Sequence, residues 1–399
     1  MKKITIITIL FLLSFISAFP QTNRISRNLS YGFGLEHGSL IPGDKFGKDL
    51  IRKNGFGSLV FNVTYRADSA SSTPYDLSFG YPGIEAGIVV SDYTRSSLSR
   101  PGREHPSRIG YIFGLYGKFN RDLLNTGMFR LGYSISNGIG YCTHPYSYPD
   151  NIDNEFIGSP ISIYFSAGLY AAYRFHPRFE FIAEGGLRHF SNSALGRPNK
   201  GANTLGVSIG LKYYPSADEI PVYKPYNSTD ATRDIYFDIS AGCNLHTMIE
   251  TWYLHQSSPS TVPAHFPVRP SFATSIAAMY RYHLKFSSGI GLDYMYAGYY
   301  AEASRIDHSK GVTGYTYSPH VLGLSLRHEV RYRSIGFNVG FGWYLHRRLG
   351  ELGEKMAKPY YETIGLRYYI PSTPLYVSYH VVAHLLRADA MQFNLGITL

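Results

Sequence analysis

Cysteine, charge and long apolar runs are all scarce in this chain, and each scarcity removes a class of protein. Two cysteines, Cys142 and Cys243, make no disulfide framework and read as small apolar residues. Only 17% of residues are charged, yet past the first 21 residues no stretch approaches a transmembrane helix, which needs roughly 18 or more consecutive apolar residues. No Lys/Arg-rich run or nucleic-acid motif occurs, so nucleic acid is not an expected partner. The net charge of +10 falls to +8 without Lys2 and Lys3, an excess that suits phosphate-bearing lipid heads.

The N-terminus supplies the one long apolar run. "MKK" followed by "ITIITILFLLSFISAF", with Ser17 and Ala18 near its end, reads as a secretory signal peptide over residues 1–21. What is abundant after it is Tyr (36), Phe (24) and Gly (40), arranged in short alternating segments. A secreted chain of that kind fits an all-β transmembrane antiparallel β-barrel.

Period-two alternation marks the strands. Leu59, Phe61, Val63 and Tyr65 alternate with Asn62, Thr64 and Arg66, and Leu205, Val207, Ile209, Leu211 and Tyr213 share one face. About eight such segments lie between residues 22 and 215. Residues 216–233, "SADEIPVYKPYNSTDATR", are polar, contain proline and do not alternate, so they read as a linker. About eight more strands occupy 234–399, beginning near Ile235, Phe272, Phe286, Val321, Ile335, Tyr361, Leu375 and Met391. The expected architecture is two tandem eight-stranded barrels, with one barrel of about sixteen strands as the alternative. The halves look like distant copies, since "LYVSYHVVAHLL…MQFNLGITL" echoes "FEFIAEGGLRHF…NTLGVSIGL".

Between the seventh and eighth predicted strands stands "RHFSNSALGRPNKGAN". His189 and Ser191 share the parity of Phe181, Ala183 and Leu187, as do Asn203, Leu205 and Val207 on the next strand. Residues two apart on a strand lie on one face about 7 Å apart, which lets an imidazole reach a hydroxyl. Serine becomes a nucleophile when a neighbouring base takes its proton and a third group orients that base. The bare His-x-Ser spacing also fits two interfacial residues at a strand end.

The surrounding residues carry a resemblance. "HFSN" followed by "PNKG" is similar to the H-x-S-N and P-N-x-G signature of the lipid A 3-O-deacylase (acyloxyacyl hydrolase-like) family of outer-membrane barrels. Asn151, Asn154, Ile157, Gly158 and Ser159 in "NIDNEFIGS", and the stretch "GYPGIEAGI", extend it over roughly residues 25–215. The resemblance implies an eight-stranded barrel in the bacterial outer membrane that hydrolyses an ester-linked acyl chain of lipid A. It implies Ser191 as nucleophile, His189 as general base, and Asn192 and Asn199 forming or supporting an oxyanion hole, with no metal or organic cofactor. Lipopolysaccharide and the bilayer are the implied partners; oligomeric state is left open.

One departure stands out. Better-known members place a glutamate after the P-N-x-G turn to orient the histidine, where this chain has Asn203. Glu184 is the nearest acid, but its parity points it into the barrel, where an arginine such as Arg188 or Arg130 is the expected partner. The second half does not repeat the site: "VVAHLLRADA" keeps His384 but has Leu386 where the serine would align, and a structural or partner-binding role suits it. Arg347, Arg348 and Lys355 read as a solvated loop, and His144, His255, His265 and His308 lack metal-ligand spacing. The function class competing with an esterase is a non-catalytic barrel, porin-like or structural, that keeps a relic of the site.

Overall fold

Antiparallel strands dominate the computed structural model, which describes residues 28–102, 105–216, 220, 233–258, 264–351, 354, 358–385 and 387–399. The expected signal peptide and most of the expected linker lie outside the described residues. The chain divides into two compact units that part near residue 228, and each contains one closed eight-stranded barrel.

The first barrel runs β1 (Leu29–Leu40), β2 (Phe56–Arg66), β3 (Gly83–Asp92), β4 (Tyr111–Asn125), β5 (Phe129–Cys142), β6 (Ile161–His176), β7 (Phe179–Ser191) and β8 (Ala202–Tyr213). Each strand pairs with its sequence neighbours, and β1 closes on β8 through register partners such as Phe33 and Leu211. The second runs β9 (Asp234–His246), β10 (Arg269–His283), β11 (Phe286–Tyr296), β12 (Tyr317–Tyr332), β13 (Ile335–Leu349), β14 (Tyr360–Tyr369), β15 (Leu375–His384) and β16 (Arg387–Thr398). It closes with Ile239 opposite Ile397. A single sixteen-stranded barrel is thereby excluded.

Alternation decides which side chains meet which medium. Phe33, Leu35, Phe61, Ile88, Leu187, Val207 and Ile209 point outward and are exposed, an arrangement stable only where lipid replaces water. Inside, polar groups satisfy one another. In the first barrel Arg130 bridges Asp122 at 3.0 Å and Glu180 at 2.6 Å, and Arg66 meets Asp122 at 2.9 Å. Lys212 and the Tyr116 hydroxyl both reach Glu85, at 3.2 and 3.1 Å. In the second barrel Arg367 lies between Asp238 at 2.6 Å and Glu329 at 3.2 Å, and the Tyr369 hydroxyl donates to Glu329 at 2.7 Å. An eight-stranded barrel is just wide enough for side chains to fill, and these networks span both lumens.

Each barrel has one end with long connections. In the first these cover residues 41–55, 93–110, 143–160 and 192–201, while the opposite end has one long connection, 67–82, and two short ones, 126–128 and 177–178. In the second the long ones cover 247–268, 297–316 and 350–359, against 284–285, 333–334 and 370–374. Outer-membrane barrels carry their long loops outside the cell and their short turns in the periplasm.

Two outcomes follow from filled, charge-paired lumens. Reconstituted in a planar bilayer, the protein is expected to give no discrete conductance steps; steps of porin size would mean an open lumen. Arg367→Met leaves Asp238 and Glu329 buried without their shared cation, and unfolding in detergent micelles should show a loss of about 3–5 kcal/mol.

Candidate active site

The end of β7 owes its orientation to Phe190. That ring is fully buried, 5.0 Å from Tyr164, in an apolar cluster with Ile112, Phe156 and Ala202 beneath the long-loop end of the barrel. Arg188, also inward, pairs with Glu36 and donates to Ser58 and Ser91, both at 3.1 Å. With 188 and 190 pinned inside, His189 and Ser191 must point outward, because a one-residue slip would reverse both faces. Leu187, on the same face, is 54% exposed, whereas Ser191 at the rim is 5% exposed.

Three side chains named from the sequence form one chain of hydrogen bonds. Asn203 lies directly opposite His189 across the β7–β8 pair, and its Oδ1 is 2.6 Å from His189 Nδ1. His189 Nε2 is 2.7 Å from Ser191 Oγ. An amide oxygen only accepts, so Nδ1 carries the ring proton and Nε2 presents its lone pair to the serine hydroxyl. The Asn203 backbone is held in turn by the Ile41 N–H, which donates to its carbonyl at 2.8 Å.

Asn192 and Asn199 meet each other. The Asn192 N–H donates to Asn199 Oδ1 at 3.1 Å, and Asn192 Nδ2 donates to Ser159 Oγ at 3.0 Å. Ser159 passes its own proton to the Ile161 carbonyl at 2.7 Å, which fixes it as the acceptor toward Asn192. The pair therefore braces the turn after Ser191, with the Asn192 N–H already engaged.

A strap over residues 151–159 holds the other side. Asn151 Nδ2 donates to the carbonyls of Arg108, His144 and Pro145 at 2.8–3.0 Å, and Asn154 Nδ2 to that of His144 at 2.7 Å. The strap's carbonyls at Glu155 and Phe156 accept from Lys200 N and Gly201 N at 3.0 and 2.9 Å. Gly201 has φ +75°, and a Cβ there would sit 2.5 Å from His189 Cε1, so the turn needs glycine both for backbone and for space. Arg100 reaches Glu155 at 2.6 Å; burial pushes that carboxyl above its usual range, and Arg100 opposes the rise. Arg100 and Phe190 were not among the residues singled out from the sequence. Arg100 lies 55 positions from Glu155 with no local pattern to link them, while the alternation of β7 does place Phe190 inward.

Other expectations end elsewhere. Glu184 is in the lumen as its parity requires, but its partners are Lys118 and, at 2.6 Å, the Ser134 hydroxyl, not an arginine. Lys118 lies on β4, three strands from β7, and was invisible to reasoning along one strand. Arg347 and Arg348 lie on β13 rather than in a loop, because β13 runs on to Leu349. Lys355 and Leu386 fall outside the described residues, among which no His, Cys, Asp or Glu group could hold a metal.

Comparison with known proteins gives two family matches. Residues 119–212 match the model "Lipid A 3-O-deacylase (PagL)", and residues 239–399 match "Acyloxyacyl hydrolase, C-terminal domain". No curated protein matches. Among solved structures, an outer membrane channel from Pseudomonas putida aligns over 96% of this chain and 100% of its own, at 8% identity and a TM-score of 0.22. The FrpB iron transporter from Neisseria meningitidis aligns over 93% of this chain and 69% of its own, at 10% identity and 0.21. Overlaps this poor establish no shared architecture. The two matches fall one on each barrel: part of the first is similar to the lipid A 3-O-deacylase family, and nearly all of the second to the acyloxyacyl hydrolase C-terminal domain.

Proposed function

We propose that the protein is an outer-membrane serine esterase that removes an ester-linked acyl chain from lipid A, with Ser191, His189 and Asn203 as its catalytic residues. The observation that carries this reading is the hydrogen-bonded run Asn203–His189–Ser191 on the outward face of β7, at the long-loop end. A nucleophile there meets the outer leaflet, where lipopolysaccharide resides, at the depth of ester carbonyls.

The chemistry balances with the residues present. His189 Nε2 takes the Ser191 proton as Oγ attacks the ester carbonyl carbon, giving a tetrahedral oxyanion. Donors on the turn braced by Asn192 and Asn199 stabilise that charge. Collapse expels the sugar alkoxide, which takes the proton back from His189, and leaves the acyl group on Ser191. Water, deprotonated by the same imidazole, then hydrolyses the acyl-enzyme. Asn203 keeps the proton on Nδ1 throughout. As a neutral amide it stabilises the transient imidazolium less than a carboxylate would, so a modest turnover is part of the reading.

The competing non-catalytic barrel has less support. A channel needs a lumen wider than eight strands supply, and a structural barrel has no need of three hydrogen-bonded polar side chains aligned on the outward face of its wall.

Mass spectrometry of lipid A from membranes containing the wild-type protein should show loss of one acyl chain. Ser191→Ala should reduce that loss by about 10³-fold or more, and unchanged lipid A with wild type would remove the esterase reading. Gly201→Ala, which drives a methyl into the imidazole, should lower deacylation by about 100-fold while the barrel still folds. Asn203→Asp should raise it, and Asn203→Ala should lower it by about 10-fold or more.

A further inference from the structure

The second barrel gathers six side chains at its own long-loop end: His246, Tyr299, Tyr344, Arg347, His384 and Asp389. They come from β9, the β11–β12 connection, β13, β15 and β16. His246 Nδ1 donates to the Asp389 carbonyl at 2.6 Å and lies 3.7 Å from its carboxylate. The His246 ring stacks on Tyr299 at 4.5 Å. Tyr344 hydrogen-bonds His384 Nε2 at 2.9 Å, and the Arg347 guanidinium lies 4.9 Å from the Tyr344 ring. Arg347 also interacts with Tyr299, and the Asp389 carboxylate interacts electrostatically with both histidines, Arg347 and Arg197.

Two irregularities in the sheet build this group. Along β13 the partner of Gly323 is Tyr344 and that of Leu322 is His346, so Leu345 is an extra residue. Without it, Arg347 would share the parity of Trp343 and face lipid; with it, Arg347 lies opposite inward Val321. Along β16 the partners of Val382 and Ala383 are Ala390 and Ala388, which makes Asp389 the extra residue. Bulges re-aim side chains and concentrate at barrel rims and beside functional sites. Here two independent ones serve a single cluster. Just past His246, Thr247 Oγ1 and Trp252 Nε1 are buried donors with no hydrogen-bond partner among the described residues.

The composition selects the ligand. The Asp389 carboxylate within the group disfavours a bare phosphate, and no cluster of His, Cys, Asp or Glu among the described residues could hold a metal. A carboxylate that accepts hydroxyl protons, beside Arg, His and Tyr groups that donate to ring and hydroxyl oxygens, matches a sugar ring. We propose that the long-loop mouth of the second barrel is a saccharide-binding site. The source of its glycan rests on the deacylase reading: the sugar headgroup of lipopolysaccharide, the lipid class which that reading assigns. The two bulges provide the recognition geometry that the second barrel has in place of a Ser-His pair.

The test uses full-length protein in detergent micelles and the free core oligosaccharide released from lipopolysaccharide by mild acid, which carries no acyl ester. Calorimetric titration should detect binding by wild type. Asp389→Asn and Arg347→Ala should each weaken it by about 10-fold or more, with hydrolysis of a short water-soluble ester unchanged. Tyr344→Phe serves as a milder variant should either of these fail to migrate as a folded barrel. No binding at millimolar oligosaccharide, equal binding by wild type and variants, or full displacement by inorganic phosphate would each overturn the proposal. Short-ester hydrolysis reports on Ser191 separately, so loss of one reading is distinguishable from loss of the other.

Discussion

Closure of an antiparallel sheet on itself is the constraint from which the rest of each barrel follows. A bilayer offers no partner for an open N–H or C=O, so every strand must be paired on both edges. Eight strands achieve this in each unit, with Phe33 opposite Leu211 sealing the first and Ile239 opposite Ile397 the second. Once closed, the sheet has one face for lipid and one for a narrow lumen, and each side chain's parity assigns it to one of them. The Arg130 and Arg367 networks then follow, because a narrow lumen accepts charges only when their partners share it.

The site exploits a place where this assignment is over-determined. Phe190 in its apolar cluster and Arg188 on Glu36 pin β7 from inside, so the two outward side chains between and beyond them have no freedom to turn. The cross-strand register then brings Asn203 to His189 with no further device. Outside the sheet, the strap from Asn151 to Ser159 holds the turn at Gly201 and Asn192, whose ends meet the imidazole and follow the serine. The fold thus supplies the His-Ser spacing from β geometry and adds loop structure only to enclose it.

Much of this was legible in the residues. The period of two located the strands, and the polar stretch at 216–233 divided the count into two groups of eight rather than one of sixteen. Parity alone put His189, Ser191 and Asn203 on one face and Glu184 on the other. What was not legible is what depends on strand neighbours far apart in sequence. Glu184 meets Lys118, 66 positions away and across the lumen, where reading along the strand suggested an arginine. The bond between Asn192 and Asn199 is set by a loop fold that has no period.

The second barrel shows where parity arguments stop. His384 follows the regular alternation of β15, and its Nε2 meets Tyr344 two strands away. Arg347 was read as part of a loop, and the strand actually continues through it with one inserted residue. An inserted residue reverses inside and outside for everything beyond it, so neither Arg347 nor Asp389 could be given a face by counting. Bulges cost ladder hydrogen bonds and persist where the re-aimed side chain compensates for them. That two of them converge on one group of histidines, tyrosines, arginine and aspartate is hard to reconcile with a barrel mouth that only seals. The regular strands build the walls of both barrels. In the second barrel the interruptions mark where the wall was shaped to meet something else.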